Sequence, residues 1–181
     1  EETIAFLQSE MRGSENQFYA ALDADSEGEE GKFYVWSETE LKAHIAQTEW
    51  KLFADYYNVN SAGRWEHGNY ILLRRVGDED FAEEHNLKVE ALQTTVLNWK
   101  KNLLKERENR THPGLDNKGL TAWNALSVMA FADAYLAFKN PEYLEQALQT
   151  AEFINTKLSK KDGTLWHTYS HGQAKIDAFL D

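Results

Sequence analysis

The stretch LTAWNALSVMAFADAYLAFKNPEYLEQALQTAEFINTKLS, residues 120–159, carries two helices of different kinds. From Leu120 to Phe138 it is apolar nearly all round, with Trp123, Leu126, Met129, Phe131, Tyr135 and Phe138 pointing in different directions. A helix without a wet face is one that neighbours cover on every side. Asn140-Pro141 then reads as an N-cap followed by proline at the first helical position, where its missing N–H is not needed. Leu144, Ala147, Leu148, Ala151, Ile154 and Leu158 give the next helix a single apolar stripe. A buried helix is therefore predicted to be followed, across a short turn, by an amphipathic one.

The rest of the chain extends this pattern. Leu92, Val96, Trp99 and Leu103 recur at helical spacing and predict a long helix over about Lys88 to Arg107. Ser37-Glu38-Thr39-Glu40 is a capping box that opens a helix running to about Ala46, and a further short helix covers Glu49 to Tyr57. Between helices one theme returns: Gly13 to Ala21, Gly63 to Leu73 and Gly163 to Tyr169 each place a glycine near a helix end, then aromatics with strand-like alternation. In the third, Ser170-His171-Gly172 reads as a hairpin turn. Helix, short β excursion, helix, repeated, predicts stacked helical hairpins. With buried helices inside and amphipathic helices outside, the expected fold is mainly all-α, part of an α/α toroid with short β-hairpins between helices. It is read as one partial domain, residues 1–181. Glu1 lies inside a helical pattern (Ile4, Leu7, Met11), and another helix is expected to start at Phe179-Leu180-Asp181, so the sequence reads as a fragment of a longer protein.

Composition excludes several classes. Against 19 basic side chains stand 30 acidic ones, a formal net charge of −11, which repels nucleic-acid backbones and anionic membranes. There is no cysteine, which removes disulfides, thiol catalysis and cysteine-bound zinc, and fits a cytoplasmic location. No run is long and apolar enough to span a membrane.

Two segments carry the chemistry. Asp23-Ala-Asp-Ser-Glu-Gly-Glu-Glu-Gly-Lys-Phe-Tyr-Val-Trp36 crowds carboxylates into a glycine-broken loop beside a strand-like aromatic run. His112-Pro-Gly-Leu-Asp-Asn-Lys-Gly-Leu-Thr-Ala-Trp-Asn124 leads into the buried helix. Asn124, on that helix, is a poor choice for a buried position unless its amide is bonded. Together these segments resemble the thioredoxin-domain-containing family typified by spermatogenesis-associated thioredoxin-like proteins. That resemblance implies a six-hairpin, glycosidase-like toroid, of which this chain would be a part without the thioredoxin-like domain or the last hairpins. It covers essentially the whole chain. One departure bears on chemistry: the family shows Asp-Asp-Lys where this chain has Asp116-Asn117-Lys118.

The catalytic candidates are Asp23, Asp25, Asp116 and His112, since paired carboxylates can divide acid and base roles when their surroundings separate their pKa values. Glu27, Trp36, Asn117, Lys118, Trp123 and Asn124 are the substrate-binding candidates. Plainer readings stand beside these. The loop carboxylates can cap local amides, Asp116 or Asn117 can cap a helix, and Trp36, Trp65, Trp123 and Trp166 can be core rather than sugar platforms. Asp23-x-Asp25-x-Glu27-Gly28 copies half of a calcium loop, but Tyr34 stands where a bidentate Glu is required. His167 and His171 lack a third ligand for zinc, so no metal and no cofactor is called for. Two functions follow as expectations: a toroid that holds or acts on a sugar, epimerase- or hydrolase-like, or a non-catalytic docking module for the thioredoxin-like domain. An open ring also predicts exposed apolar surface on the Phe131 or Trp99 helices and self-association.

Overall fold

The structure, a computed structural model, describes residues 1–179; the expected helix start at Leu180 and Asp181 lies outside them. In chain order the elements are α1 (Glu2–Phe6), β1 (Ala21–Leu22), β2 (Asp25–Ser26), β3 (Glu29–Glu30), β4 (Trp36–Ser37), α2 (Glu38–His44), α3 (Trp50–Tyr56), β5 (Asn69–Tyr70), α4 (Asp78–Glu84) and α5 (Val89–Arg107). They continue with β6 (Leu115–Asp116), β7 (Gly119–Leu120), α6 (Thr121–Phe138), α7 (Pro141–Phe153), β8 (Trp166–Ser170) and β9 (Gln173–Asp177). About half of the chain is helical, and the largest sheet has three strands. No described helix is long and apolar enough to cross a membrane. The chain forms two compact units, Ala24–Pro113 and a second one built from Glu1–Asp23 with Gly114–Asp181.

In the Ala24–Pro113 unit the core follows the predicted face of α5. Leu92, Val96, Trp99 and Leu103 are all buried, and they pack with Leu41, Phe53, Tyr56 and Phe81. Trp99 meets Phe53 edge-on at 5.2 Å, and its indole N–H donates to Glu49 at 2.7 Å, so its one polar atom is satisfied. Full burial of side chains such as Trp99, Phe53 and Leu41 contributes about 1.5–3 kcal/mol each. The capping box closes as predicted: the Glu40 amide donates to the Ser37 hydroxyl at 3.2 Å, and the Ser37 amide donates to the Glu40 carboxylate at 2.8 Å.

In the other unit α6 and α7 form an antiparallel pair. Asn140 caps α7 by accepting from the Glu142 amide, with Pro141 at the first position. The buried stripe of α7 is rotated from the expected one: Tyr143, Gln146, Ala147, Thr150 and Phe153 are buried, whereas Leu148 is 62% exposed. Helix α6 is not covered all round. Phe131 stacks on Phe18 and packs against Tyr143, but Trp123, Leu126, Met129, Leu136 and Phe138 are each more than half exposed. The periodicity of α6 records a demand for neighbours on every side, and within its unit only one side is met. The exposed surface expected on the Phe131 helix is present, on the face opposite Phe131.

Three seven-residue hairpins have one geometry. Bridges pair Arg12 with Phe18, Arg64 with Tyr70 and Ser159 with Leu165. In each, the second residue donates to the sixth: Gly13 to Gln17 at 2.7 Å, Trp65 to Asn69 at 2.8 Å and Lys160 to Thr164 at 2.8 Å. The fifth residue has positive φ: Asn16 at 69°, Gly68 at 80° and Gly163 at 85°. Only glycine, and asparagine more than most, enters that region cheaply. The expected repeat is therefore real at this level, with Gly68 rather than Gly63 supplying the middle turn. In the unit that contains them, both α1 and α7 unwind into a π turn (Leu7–Met11 and Ile154–Leu158) just before their hairpins.

Asn124 shows why these excursions stay in place. Its side chain is fully buried, accepts from the Phe18 amide at 2.7 Å, and donates to the Phe18 carbonyl at 3.0 Å and the Leu120 carbonyl at 2.9 Å. Asn124→Ala strands both backbone groups of Phe18, so urea denaturation is expected to show a loss of about 3 kcal/mol.

Candidate functional site

The acidic segment resolves into a hairpin and an anchor. Asp25 pairs with Glu30 and Ser26 with Glu29, leaving Glu27 (φ 53°) and Gly28 (φ 78°) as a two-residue turn. Two successive positive φ values mark the mirror-image turn that matches strand twist. The calcium-like spacing is thus the register of a hairpin. Asp25, Glu27, Glu29 and Glu30 are exposed, while Ser26 is buried and donates to the Thr111 carbonyl at 2.5 Å. Lys32 sits between Glu29 at 3.1 Å and Glu27 at 3.5 Å.

The aromatic run that follows is held by Arg110, at the end of α5. One terminal nitrogen of its guanidinium donates to the Phe33 carbonyl at 2.8 Å and the Val35 carbonyl at 2.7 Å, and the other reaches Glu40 at 3.2 Å. Its guanidinium carbon lies over the Trp36 ring, 3.9 Å from the ring centre. A planar, permanently charged fork with an aromatic-compatible face is what this geometry requires, and lysine lacks it. Burial lowers the pKa of Arg110, opposed by the Glu40 charge. Burial pushes the Glu40 carboxyl up, but the Ser37 hydroxyl and amide together with Arg110 outweigh it and hold that carboxyl below its ordinary range.

These side chains enclose a cleft of about 490 Å³ lined by Ser26, Glu27, Glu29, Lys32, Phe33, Val35, Glu40, Asn69, Asn109, Arg110 and Thr111. Its wall brings together carboxylates, amides, hydroxyls and paired cations, and the Phe33 ring behind it is buried against His112 and Tyr34. Among the sequence-derived candidates only Glu27 lines it. Trp36 is buried beneath Arg110, where no ligand can stack on it. His112 packs against Phe33 at 4.7 Å, with its Nε2 3.6 Å from Glu108.

The four acid–base candidates divide between the units, with Asp25 and His112 in one and Asp23 and Asp116 in the other. Asp116 pairs with Ala21 across β1 and β6, and the Asp23 amide donates to the Gly114 carbonyl at 2.7 Å, so these two carboxylates share one short ladder. Asp116 is bound by Lys118 at 3.0 Å and accepts the Lys118 amide at 3.3 Å, and that hydrogen bonding lowers its pKa. Asn117 accepts from the Ser170 hydroxyl at 3.3 Å, Trp123 is 52% exposed and Asn124 is a buried structural bridge. Arg110, Glu40, Asn69 and Asn109 were not singled out by sequence. The one signal was the capping box, which fixes where Glu40 points.

The chain is 31% identical to an uncharacterised protein of Caenorhabditis elegans over 193 aligned positions, 91% of this chain and 26% of that protein. It is 30% identical to spermatogenesis-associated protein 20 of Mus musculus and 29% identical to that of Homo sapiens, each over 161 positions, 76% of this chain and 20% of the relative. It thus spans a fifth to a quarter of the length of these relatives. No protein-family model matches it.

Two outcomes follow from the anchor. Arg110→Lys keeps the charge but loses the fork, and urea denaturation is expected to show a loss of roughly 2 kcal/mol. Because the folded Glu40 value is depressed, its contribution is present above the unfolded carboxyl value of about 4.3 and is lost as pH falls through the lower folded value. Thermal melts across that range should fall less steeply for Glu40→Gln than for the unsubstituted chain.

Proposed function

We propose that the chain binds a sugar or sugar derivative in the cleft between the Asp25–Glu30 hairpin and Arg110. The observation that carries this reading is the lining: carboxylates (Glu27, Glu29), amides (Asn69, Asn109) and the Thr111 hydroxyl around a volume that accommodates a small ligand. A polyhydroxylated ligand exchanges hydrogen bonds with water and needs donors and acceptors in alternation, which this wall supplies. The glycosidase-like toroid that the family resemblance implies favours the same ligand class by analogy of fold alone.

The reading is of binding. An epimerase needs a base and an acid on opposite faces of one carbon, and a hydrolase needs two carboxylates at a set separation. Glu27 and Glu29 belong to the cleft, but both are engaged by Lys32, and Asp116 is paired with Lys118. Turnover by Asp23, Asp25, Asp116 and His112 is accordingly the weaker form of the proposal.

A second reading rests on a different observation. Asp25, Glu27, Glu29 and Glu30 turn outward on one tight hairpin, which suits docking of a basic partner surface, including the thioredoxin-like domain that the family resemblance implies. Titration calorimetry against a panel of monosaccharides, sugar acids and amino sugars separates the two. Saturable binding that weakens at least about tenfold in Asn69→Ala, and is unchanged in Asp116→Ala, is the expected result. Flat isotherms across the panel would leave the docking reading in possession.

A further inference from the structure

Glu27 and Glu29 bring more acceptor capacity to the cleft than Lys32 uses. The Lys32 ammonium lies 3.5 Å from Oε2 of Glu27 and 3.1 Å from Oε1 of Glu29. Among the described residues nothing donates to Oε1 of Glu27 or Oε2 of Glu29. The third carboxylate of the wall, Glu40, is filled: Oε2 accepts from the amide and hydroxyl of Ser37, and Oε1 from Arg110. The cations of the wall are engaged as well. Arg110 is turned onto two backbone carbonyls, Glu40 and the Trp36 ring, and Lys32 sits between its two carboxylates. The open capacity of the charged groups is therefore negative, within the field of a chain of net charge −11.

We infer that the sugar held in this cleft carries a primary ammonium group, which the open oxygens of Glu27 and Glu29 receive. The inference rests on the sugar-binding reading and adds the charge of the ligand to it. An ammonium brings three donors and no acceptor, and its bonds to a carboxylate are stronger than those of a neutral hydroxyl. Lys32 shows by its own position that the two carboxylates converge closely enough to share one ammonium. The Asn69 and Asn109 amides and the Thr111 hydroxyl are left for the ring hydroxyls. An N-acetylated sugar has no charge to offer the carboxylates. A sugar acid would meet Glu27 and Glu29 with no uncommitted cation to hold it. The preference is modest, because the two carboxylates are 51% and 64% exposed and water competes for them.

Titration calorimetry of the full chain at about pH 6.5, where the amine is charged, tests this with glucosamine, glucose, N-acetylglucosamine, glucuronate and ethanolamine. Glucosamine is expected to bind saturably and at least about fivefold tighter than glucose or N-acetylglucosamine, with glucuronate weakest. The preference should shrink in about 0.5 M sodium chloride. The double substitution Glu27→Gln, Glu29→Gln should bring the ratio of glucosamine to glucose affinity to about one, with an unchanged circular dichroism spectrum, because both side chains are exposed. Glu90→Gln with Glu142→Gln removes the same charge from exposed positions outside the cleft lining and should keep the ratio. Glucose or glucuronate binding as tightly as glucosamine, or a ratio untouched by the Glu27 and Glu29 substitutions, overturns the inference and leaves sugar binding standing. Flat isotherms for all four sugars, or ethanolamine binding as tightly as glucosamine, overturn the sugar-binding reading and the inference with it.

Discussion

A backbone amide or carbonyl taken out of water has to find a partner, and in this chain the segments between helices meet that demand through single side chains reaching in from a helix or its end. Asn124 on α6 takes both polar groups of Phe18. Arg110, just beyond α5, takes the carbonyls of Phe33 and Val35. Thr150 on α7 donates to the Asn16 carbonyl at 3.1 Å. Helices satisfy their own interior hydrogen bonds, so they are free to supply these contacts. The short excursions have too few ladder bonds to hold themselves. A two-strand pair of two residues each, such as β4 with β5, is marginal without such anchors.

That constraint shapes the cleft. Its charged groups are there in part because they hold the aromatic segment: Glu40 serves Ser37 and Arg110 at once, and Arg110 serves two carbonyls and Trp36. Those charged groups of the cleft are therefore committed to holding the chain, and the amides of Asn69 and Asn109 and the Thr111 hydroxyl line it beside them. The same sharing explains why Trp36, which in sequence looks like a sugar platform beside an acidic loop, is spent as the surface on which a guanidinium lies.

Features within a few residues of one another were legible in the sequence. The capping box, the N-cap and proline of α7, the buried face of α5 and the Ser170–Gln173 turn all depend on contacts at short separation, where residue type and spacing carry the information. The repeat of helix and hairpin was legible too, though glycine alone misplaced the middle turn. Asn124 could be seen to need a partner, but Phe18 lies 106 positions away, and nothing in the spacing names it. Arg110 lies 77 positions from Phe33, at a helix end where an arginine is unremarkable. The α7 stripe is rotated toward Tyr143, which packs on Phe131, and Thr150, which donates to the Asn16 carbonyl, contacts that hydropathy does not encode.

By itself the sequence determined where most of the helices begin and end, that α6 is apolar nearly all round, and that an acidic loop adjoins an aromatic run. These are properties of local periodicity, capping and charge. The tertiary structure decided which carboxylates line the cleft, that Glu27 does so while Asp116 is tied to Lys118, and which flank of α6 is left uncovered. Apart from the local Asp116–Lys118 pair, those outcomes depend on pairings 70 to 106 residues apart, where many partners are chemically equivalent and only the packed chain selects among them.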